Sequence, residues 1–288
     1  MSIESVIDSL KASEAIHTRE AFLHRCRMEI EPFVYSYLNH TYGEALSRHW
    51  LTCTIPRKST KGIVIVERRC HPNLEFTIQN AVYFAPGYSL HIICSDANQE
   101  FVEEICGSQL DSVHIHSVFK DIGTPESGKK EYNTLLKDWG FWSLFPEDWL
   151  LCMETDSYLL KEIPEEVYKY NYLASKWAWF PEKAGGGGIS HRKKSFMLEI
   201  CSNTSLTHEM QDCFASDGVA LLGCQVIDSN IFGETCFDSS TIGTHQWWTF
   251  ACDIPKEGLR EYLNLLLTLY IKLDGAAHQQ GSPHECIR

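Results

Sequence analysis

Four short apolar runs, separated by segments of helical character, constrain this chain more than any other feature. Gly62-Ile-Val-Ile-Val66, Leu90-His-Ile-Ile-Cys94, Val113 to Phe119 and Trp149-Leu-Leu-Cys-Met153 are too short for helices. All four read as strands; Gly62 to Val66 is β-branched and suits a buried strand, and Trp149 to Met153 suits one buried on both faces. Between them, Asn73 to Phe84, Asn98 to Cys106 and Tyr132 to Phe145 space their apolar residues like helices. Asn73 is the expected cap of the first, Pro86-Gly87 its stop, and Pro146 closes the third. Residues 121–130, with Gly123, Pro125 and Gly128, read as a surface loop. Strand alternating with helix at this spacing requires a parallel sheet, so the expected fold class is α/β, a Rossmann-type, mostly parallel sheet flanked by helices.

Ahead of the first strand, residues 4 to about 50 are helical in pattern, with Pro32 starting or kinking a helix. The expected organisation is an N-terminal helical extension (1–55), a main domain (56–255), and a C-terminal helix (Leu259 to Leu273) with a loose tail (256–288). The terminal helices could serve as a homodimer interface.

A net charge of −13 argues against a protein that binds nucleic acid through its phosphates, but not against one that binds a single nucleotide. No apolar run approaches the roughly 18 residues of a membrane span, and Met-Ser-Ile-Glu-Ser does not begin a secretory signal. The twelve cysteines form no Cys-x-x-Cys pair, and Cys94, Cys152, Cys201 and Cys224 sit in apolar surroundings. They read as buried hydrophobes of a reducing compartment, and the expected location is cytoplasmic. The first strand runs into Glu67-Arg-Arg-Cys-His71, so neither a phosphate loop nor Gly-x-Gly-x-x-Gly follows it. A Walker-type ATPase and a standard dinucleotide dehydrogenase are thereby disfavoured.

The chemistry concentrates where the fourth strand ends. Glu154-Thr155-Asp156-Ser157 interrupts an apolar run that resumes at Tyr158-Leu-Leu160. Two carboxylates one residue apart at the end of a buried strand repel each other, and a divalent cation offsets that best. Ligands of open α/β sheets also bind at this end. A hard-metal site for a phosphorylated ligand is one meaning of the stretch; a solvated strand end with two surface acids is the other. Further on, Ala184-Gly-Gly-Gly-Gly-Ile-Ser-His-Arg192 permits close backbone approach to a ligand, against the alternative of a flexible loop. Asp212 precedes a helix expected from Phe214 to about Leu222, where it could serve as a cap. His245 stands in a turn beside Trp247 and Trp248, and a histidine among aromatics is more often a packed residue than a ligand.

Taken together, these pieces resemble a GT-A-type glycosyltransferase, of the little-characterised glycosyltransferase-like family of bacteria, fungi and large DNA viruses. The resemblance runs from about Gly62 to Trp248. It rests on Val66-Glu67-Arg68, Tyr132-Asn133 with Phe141-Trp142, Glu154-Thr155-Asp156-Ser157, Tyr172 to Trp177, Gly187-Gly188-Ile-Ser-His-Arg192, Gln211-Asp212 and Gly243-Thr244-His245. It implies a GT-A-like fold and transfer of a sugar from a nucleotide-sugar (a UDP- or GDP-sugar) to a glycan or other hydroxyl acceptor. By the same resemblance, Glu154, Asp156 and His245 would hold Mn²⁺ or Mg²⁺, and Asp212 would be the catalytic base of an inverting reaction. Glu67, Arg68, Asn133, Thr155, Asp156, Gly187 and Gly188 would bind the donor. Gln211 stands where the family places a second acid, which keeps open a non-catalytic nucleotide-sugar or glycan-binding module. A metal-dependent phosphoesterase is a third class, though it would usually need more His and Asp ligands around two ions.

Overall fold

The structure, a computed structural model, describes residues 9, 12, 19–177, 180, 182–226, 230–234, 240–246 and 248. The elements are α1 (Arg19–Thr52), β1 (Lys61–Val66), α2 (Leu74–Phe84), β2 (Ser89–Ser95), α3 (Gln99–Cys106) and β3 (Val113–Phe119). There follow α4 (Pro125–Leu135), α5 (Trp139–Ser143), β4 (Trp149–Met153), β5 (Ser157–Leu159), β6 (Tyr172–Ser175) and β7 (Gly186–Lys193). Last come α6 (Lys194–Cys201), α7 (Gln211–Leu221), β8 (Phe232–Gly233) and β9 (Gly243–His245). The expected C-terminal helix from Leu259, the tail and most of residues 4–18 lie outside the described residues.

Six strands form the central sheet in the order β3-β2-β1-β4-β7-β6. The β3–β2, β2–β1 and β1–β4 pairs are parallel, as the strand–helix alternation requires. β7 runs antiparallel to both neighbours, so the sheet is mixed but mostly parallel. Three of the four runs are buried: Ile63, Val64 and Ile65 are at most 1% exposed, β2 is buried throughout, and so are Leu150 to Met153 of β4, whereas β3, at the sheet edge, is only partly buried, with Val118 exposed. On one face, Val64, Ile93 and Cys152 pack with Trp142 and Phe145, with Phe196 and Met197 of α6, and with Phe214 of α7.

His49–His245 form one compact unit, and α1 up to Arg48 belongs to another. α1 carries a buried stripe of Ile30, Val34, Leu38, Tyr42 and Leu46, each four residues from the last. It continues through Pro32, which neither starts nor ends it.

Two local expectations need correction. Residues 121–130 are not all loop, because α4 begins at Pro125. The Thr124 hydroxyl accepts the Ser127 N–H at 3.2 Å and the Ser127 hydroxyl accepts the Thr124 N–H at 2.9 Å, a reciprocal cap with proline at the first helical position. The aromatic helix expected from Tyr132 is broken, and Asp138 restarts it by accepting the Phe141 N–H at 2.8 Å. In the glycine run the flexible-loop alternative does not hold, since Gly186, Gly187 and Gly188 open β7.

Candidate metal centre and adjoining cavity

In the order 3-2-1-4 the chain winds outward from β1 to β3 and then crosses back to β4 on the other side of β1, and this switch point opens a crevice beyond the carboxyl ends of β1 and β4. Glu67-Arg68-Arg69 leave β1 there and Glu154-Thr155-Asp156 leave β4. A cavity of about 470 Å³ occupies the crevice, within the range of small-molecule sites. Its walls include Glu67, Arg68, Arg69, Phe119, Lys129, Tyr132, Glu154, Thr155 and Asp156.

The turn after β4 is tied down on several sides. The Glu154 N–H donates to the Gly188 carbonyl at 2.9 Å, and the Ser157 hydroxyl donates to the same oxygen at 2.6 Å. Asn73 holds the N-cap position of α2, yet its side chain makes no cap bond. Its amide reaches across to the Thr155 carbonyl at 2.6 Å instead, which corrects the expected cap. With Thr155 so fixed, Glu154 and Asp156 are presented together.

β5 begins at the next residue and pairs antiparallel with β9, Ser157 opposite His245. That register brings the imidazole beside the acids. His245 Nε2 lies 3.5 Å from Asp156 Oδ1 and 3.8 Å from Glu154 Oε2. One ligand atom from each of the three residues lies within 4.8 Å of the others. Gly188 makes room for the ring, since a Cβ there would stand 2.3 Å from His245 Nε2.

The electrostatics are those of an acid pair in need of a cation. Burial and the neighbouring Asp156 charge push the Glu154 carboxyl up, against the pull of His245 and of the Tyr132 hydroxyl, which donates to Oε1 at 2.6 Å. Burial alone would lower His245, but Asp156 and Glu234 outweigh it and hold the imidazole well above its ordinary value. In the metal-free protein the imidazolium therefore supplies the counter-charge. Two hard carboxylates and an imidazole converging on one point fit a single divalent cation.

Of the expected donor-binding residues, Glu67, Arg68, Thr155 and Asp156 line the cavity. Glu67 is bridged to Arg69 at 2.7 Å and receives the Thr155 hydroxyl at 3.3 Å. Arg68 packs 4.4 Å over the Phe119 ring and pairs with Glu131 at 2.6 Å and Asp121 at 3.2 Å, so it serves chiefly as wall. Asn133, Gly187 and Gly188 are not among the lining residues. The Asn133 side chain accepts the Gln211 N–H at 2.7 Å and so anchors the start of α7. A Cβ on Gly187 would stand 1.9 Å from Gln211 Nε2, so the space beside Gly187 and Gly188 holds protein side chains.

Asp212 lies in the first turn of α7, which begins at Gln211 rather than Phe214; Met210 is the N-cap residue. Asp212 is therefore not the helix cap. It accepts the Cys213 N–H at 2.7 Å, and its charge is felt by Glu154 and Arg192. Gln211 accepts from Arg192 Nη2 at 2.8 Å. Arg192 is fully buried between the rings of Tyr172 and Trp142.

Glu234 was not anticipated from the sequence. It is 7% exposed at the end of a two-residue strand, with Oε1 3.5 Å from His245 Nδ1. No hydrophobic period or spacing marks such a position. Tyr132 belongs to a motif of the family resemblance, but its bond to Glu154 depends on where α4 begins.

Residues 117–249 match a family described as a protein of unknown function (DUF5672). No curated protein matches the sequence. Among solved structures, the chain is similar to the crystal structure of the glycosyltransferase GlyE of Streptococcus pneumoniae TIGR4. The identity is 10% and the TM-score 0.37, over 55% of this chain. This chain spans 42% of the length of GlyE.

Proposed function

We propose that the protein is a metal-dependent glycosyltransferase that moves a sugar from a nucleotide-sugar to a hydroxyl acceptor with inversion. The observation that carries this is the convergence of Glu154, Asp156 and His245, the two acids of which line a cavity of about 470 Å³ beyond β1 and β4. Glu154, Asp156 and His245 would hold Mn²⁺ or Mg²⁺. Held there, such an ion would supply the charge that neutralises a diphosphate leaving group. The cavity wall, with Arg69 and Lys129 beside the apolar Val66, Phe119 and Ile122, suits a ligand with a charged and a flat apolar part.

Asp212 is the proposed general base. It is an acid outside the metal cluster, near enough to Glu154 and Arg192 for its charge to act on both. Removing the proton of the acceptor hydroxyl as the new glycosidic bond forms takes one such carboxylate, as single displacement needs. Gln211, bonded to Arg192 and Asn133, serves to hold α7 in place.

The test is turnover of UDP- and GDP-sugars by the full chain with and without Mn²⁺. Metal-dependent release of nucleoside diphosphate supports the transferase. Binding without any turnover would favour the binding module, and product keeping the donor's anomeric configuration would remove the inverting part.

A further inference from the structure

The inference rests on the metal reading above and concerns a residue outside the three ligands. We infer that Glu234 is a positioning residue: it fixes the tautomer of His245 so that Nε2, and not Nδ1, is offered to the ion.

His245 stands between two acidic groups, with Nδ1 3.5 Å from Glu234 and Nε2 3.5 Å from Asp156 and 3.8 Å from Glu154. A neutral imidazole has one N–H and one lone pair, and only the lone pair can bind a cation. A carboxylate accepts and never donates. Glu234 therefore claims the proton on Nδ1 and leaves the lone pair of Nε2 facing Glu154 and Asp156.

Glu234 is itself held in place. Its Oε2 accepts the Trp177 indole N–H at 3.1 Å and the Ser175 hydroxyl at 3.1 Å. Gly186 leaves the space for this, because a Cβ there would stand 2.7 Å from Trp177 Nε1 and 3.2 Å from Glu234 Oε2. Four residues from three segments, Ser175 and Trp177, Gly186, and Glu234, are thus arranged on the side of His245 away from Glu154 and Asp156.

The Trp177 bond makes the inference testable, because an indole N–H can only donate. In Glu234→Gln the amide oxygen must take the place of Oε2, since the amide NH₂ cannot face the indole N–H. The NH₂ then points at His245 Nδ1 and donates to it, which puts the ring proton on Nε2 and removes the ligand. Glu234→Ala imposes no tautomer. The near-isosteric variant should therefore damage the metal site more than the truncation, the reverse of the order a merely structural role would give. Replacing an orienting carboxylate by its amide selects the wrong histidine tautomer in the same way in serine proteases.

The experiment measures Mn²⁺ affinity by the EPR signal of free Mn²⁺ and a directly bonded nitrogen by pulsed EPR. It uses the full chain and the variants Glu234→Gln, Glu234→Ala and His245→Ala, with folding checked by circular dichroism. The wild type should show one bonded nitrogen that His245→Ala lacks. Glu234→Gln should lose that nitrogen and bind Mn²⁺ about 10–100-fold more weakly, with Glu234→Ala between it and the wild type. Wild-type affinity and an intact nitrogen signal in Glu234→Gln would overturn the inference, as would Glu234→Ala binding more weakly than Glu234→Gln. Mn²⁺ bound by the wild type without a nitrogen would overturn it while leaving a carboxylate metal site. No Mn²⁺ binding by the wild type would overturn the metal reading and this inference with it.

Discussion

At the scale of single residues, the two acids Asp156 and Asp212 should fail differently. Asp156→Asn removes a charge that faces His245 Nε2 at 3.5 Å and should weaken both Mn²⁺ and nucleotide binding. Asp212→Asn should leave both nearly intact and lower kcat by about 10²–10⁴, the usual worth of a general base. Because Met210 and not Asp212 is the N-cap residue of α7, the second change should cost little stability. Titration of metal and nucleotide beside single-turnover rates checks the pair; wild-type kcat in Asp212→Asn would send the search for the base to Asp217 or to Asp238, which lies outside the described residues. Gly188→Ala makes a second prediction at this scale. Its Cβ would meet the His245 ring at 2.3 Å, so Mn²⁺ affinity should drop while the far-ultraviolet spectrum stays native. Unchanged affinity would mean that the ring can shift without cost to the site.

At the scale of elements, the strand ends hold the site because distant segments are bonded to them. Asn73 spans from the start of α2 to the Thr155 carbonyl, which is buried. Asn73→Ala should destabilise the fold by about 1–3 kcal/mol in denaturant titrations, the cost of a buried polar group losing its partner. Loss of the same size in Mn²⁺ binding energy would show that the bond also shapes the acid turn. This scale also separates what was legible in the sequence from what was not. The central strands were legible because Ile63 to Ile65 and Leu150 to Met153 are continuous apolar runs that only a doubly covered sheet can bury. The start of α4 was not, because Pro125, Gly128 and two lysines resemble a loop until the Thr124–Ser127 cap is seen. Glycines 186–188 read as a place for a ligand, since a sequence cannot tell a ligand from the side chains of Gln211 and His245 as the reason for a missing Cβ. The acid pair was legible as two charges ending an apolar run. Glu234 was not, because what matters about it is tertiary: its distance from His245.

At the scale of the whole molecule, the raised acid and imidazole link stability to pH and to metal. His245 is held above its ordinary 6.5 and Glu154 above its ordinary 4.5. A group whose folded pKa is raised stabilises the fold below its unfolded pKa and loses that contribution as pH rises through the folded value. The metal-free protein should therefore lose stability as pH is raised above about 6.5, the ordinary value of the His245 imidazole. Mn²⁺ must displace the His245 proton, so its affinity should rise with pH over the same interval, by up to about tenfold per unit for one proton. Saturating metal, at a hundredfold excess over Kd, should add about 2.7 kcal/mol and reverse the loss. Melting curves across pH with and without Mn²⁺ check both signs; stability rising with pH in the metal-free protein would contradict them. The central claim is that the cavity beyond β1 and β4 takes a nucleotide through a cation held by Glu154, Asp156 and His245. Its most direct test is calorimetric titration of UDP and GDP into the full chain with and without Mn²⁺. The account predicts that at least one of the two binds, that binding requires the metal, and that Asp156→Asn abolishes it. Absence of binding by either nucleotide, in protein that binds Mn²⁺, would contradict it.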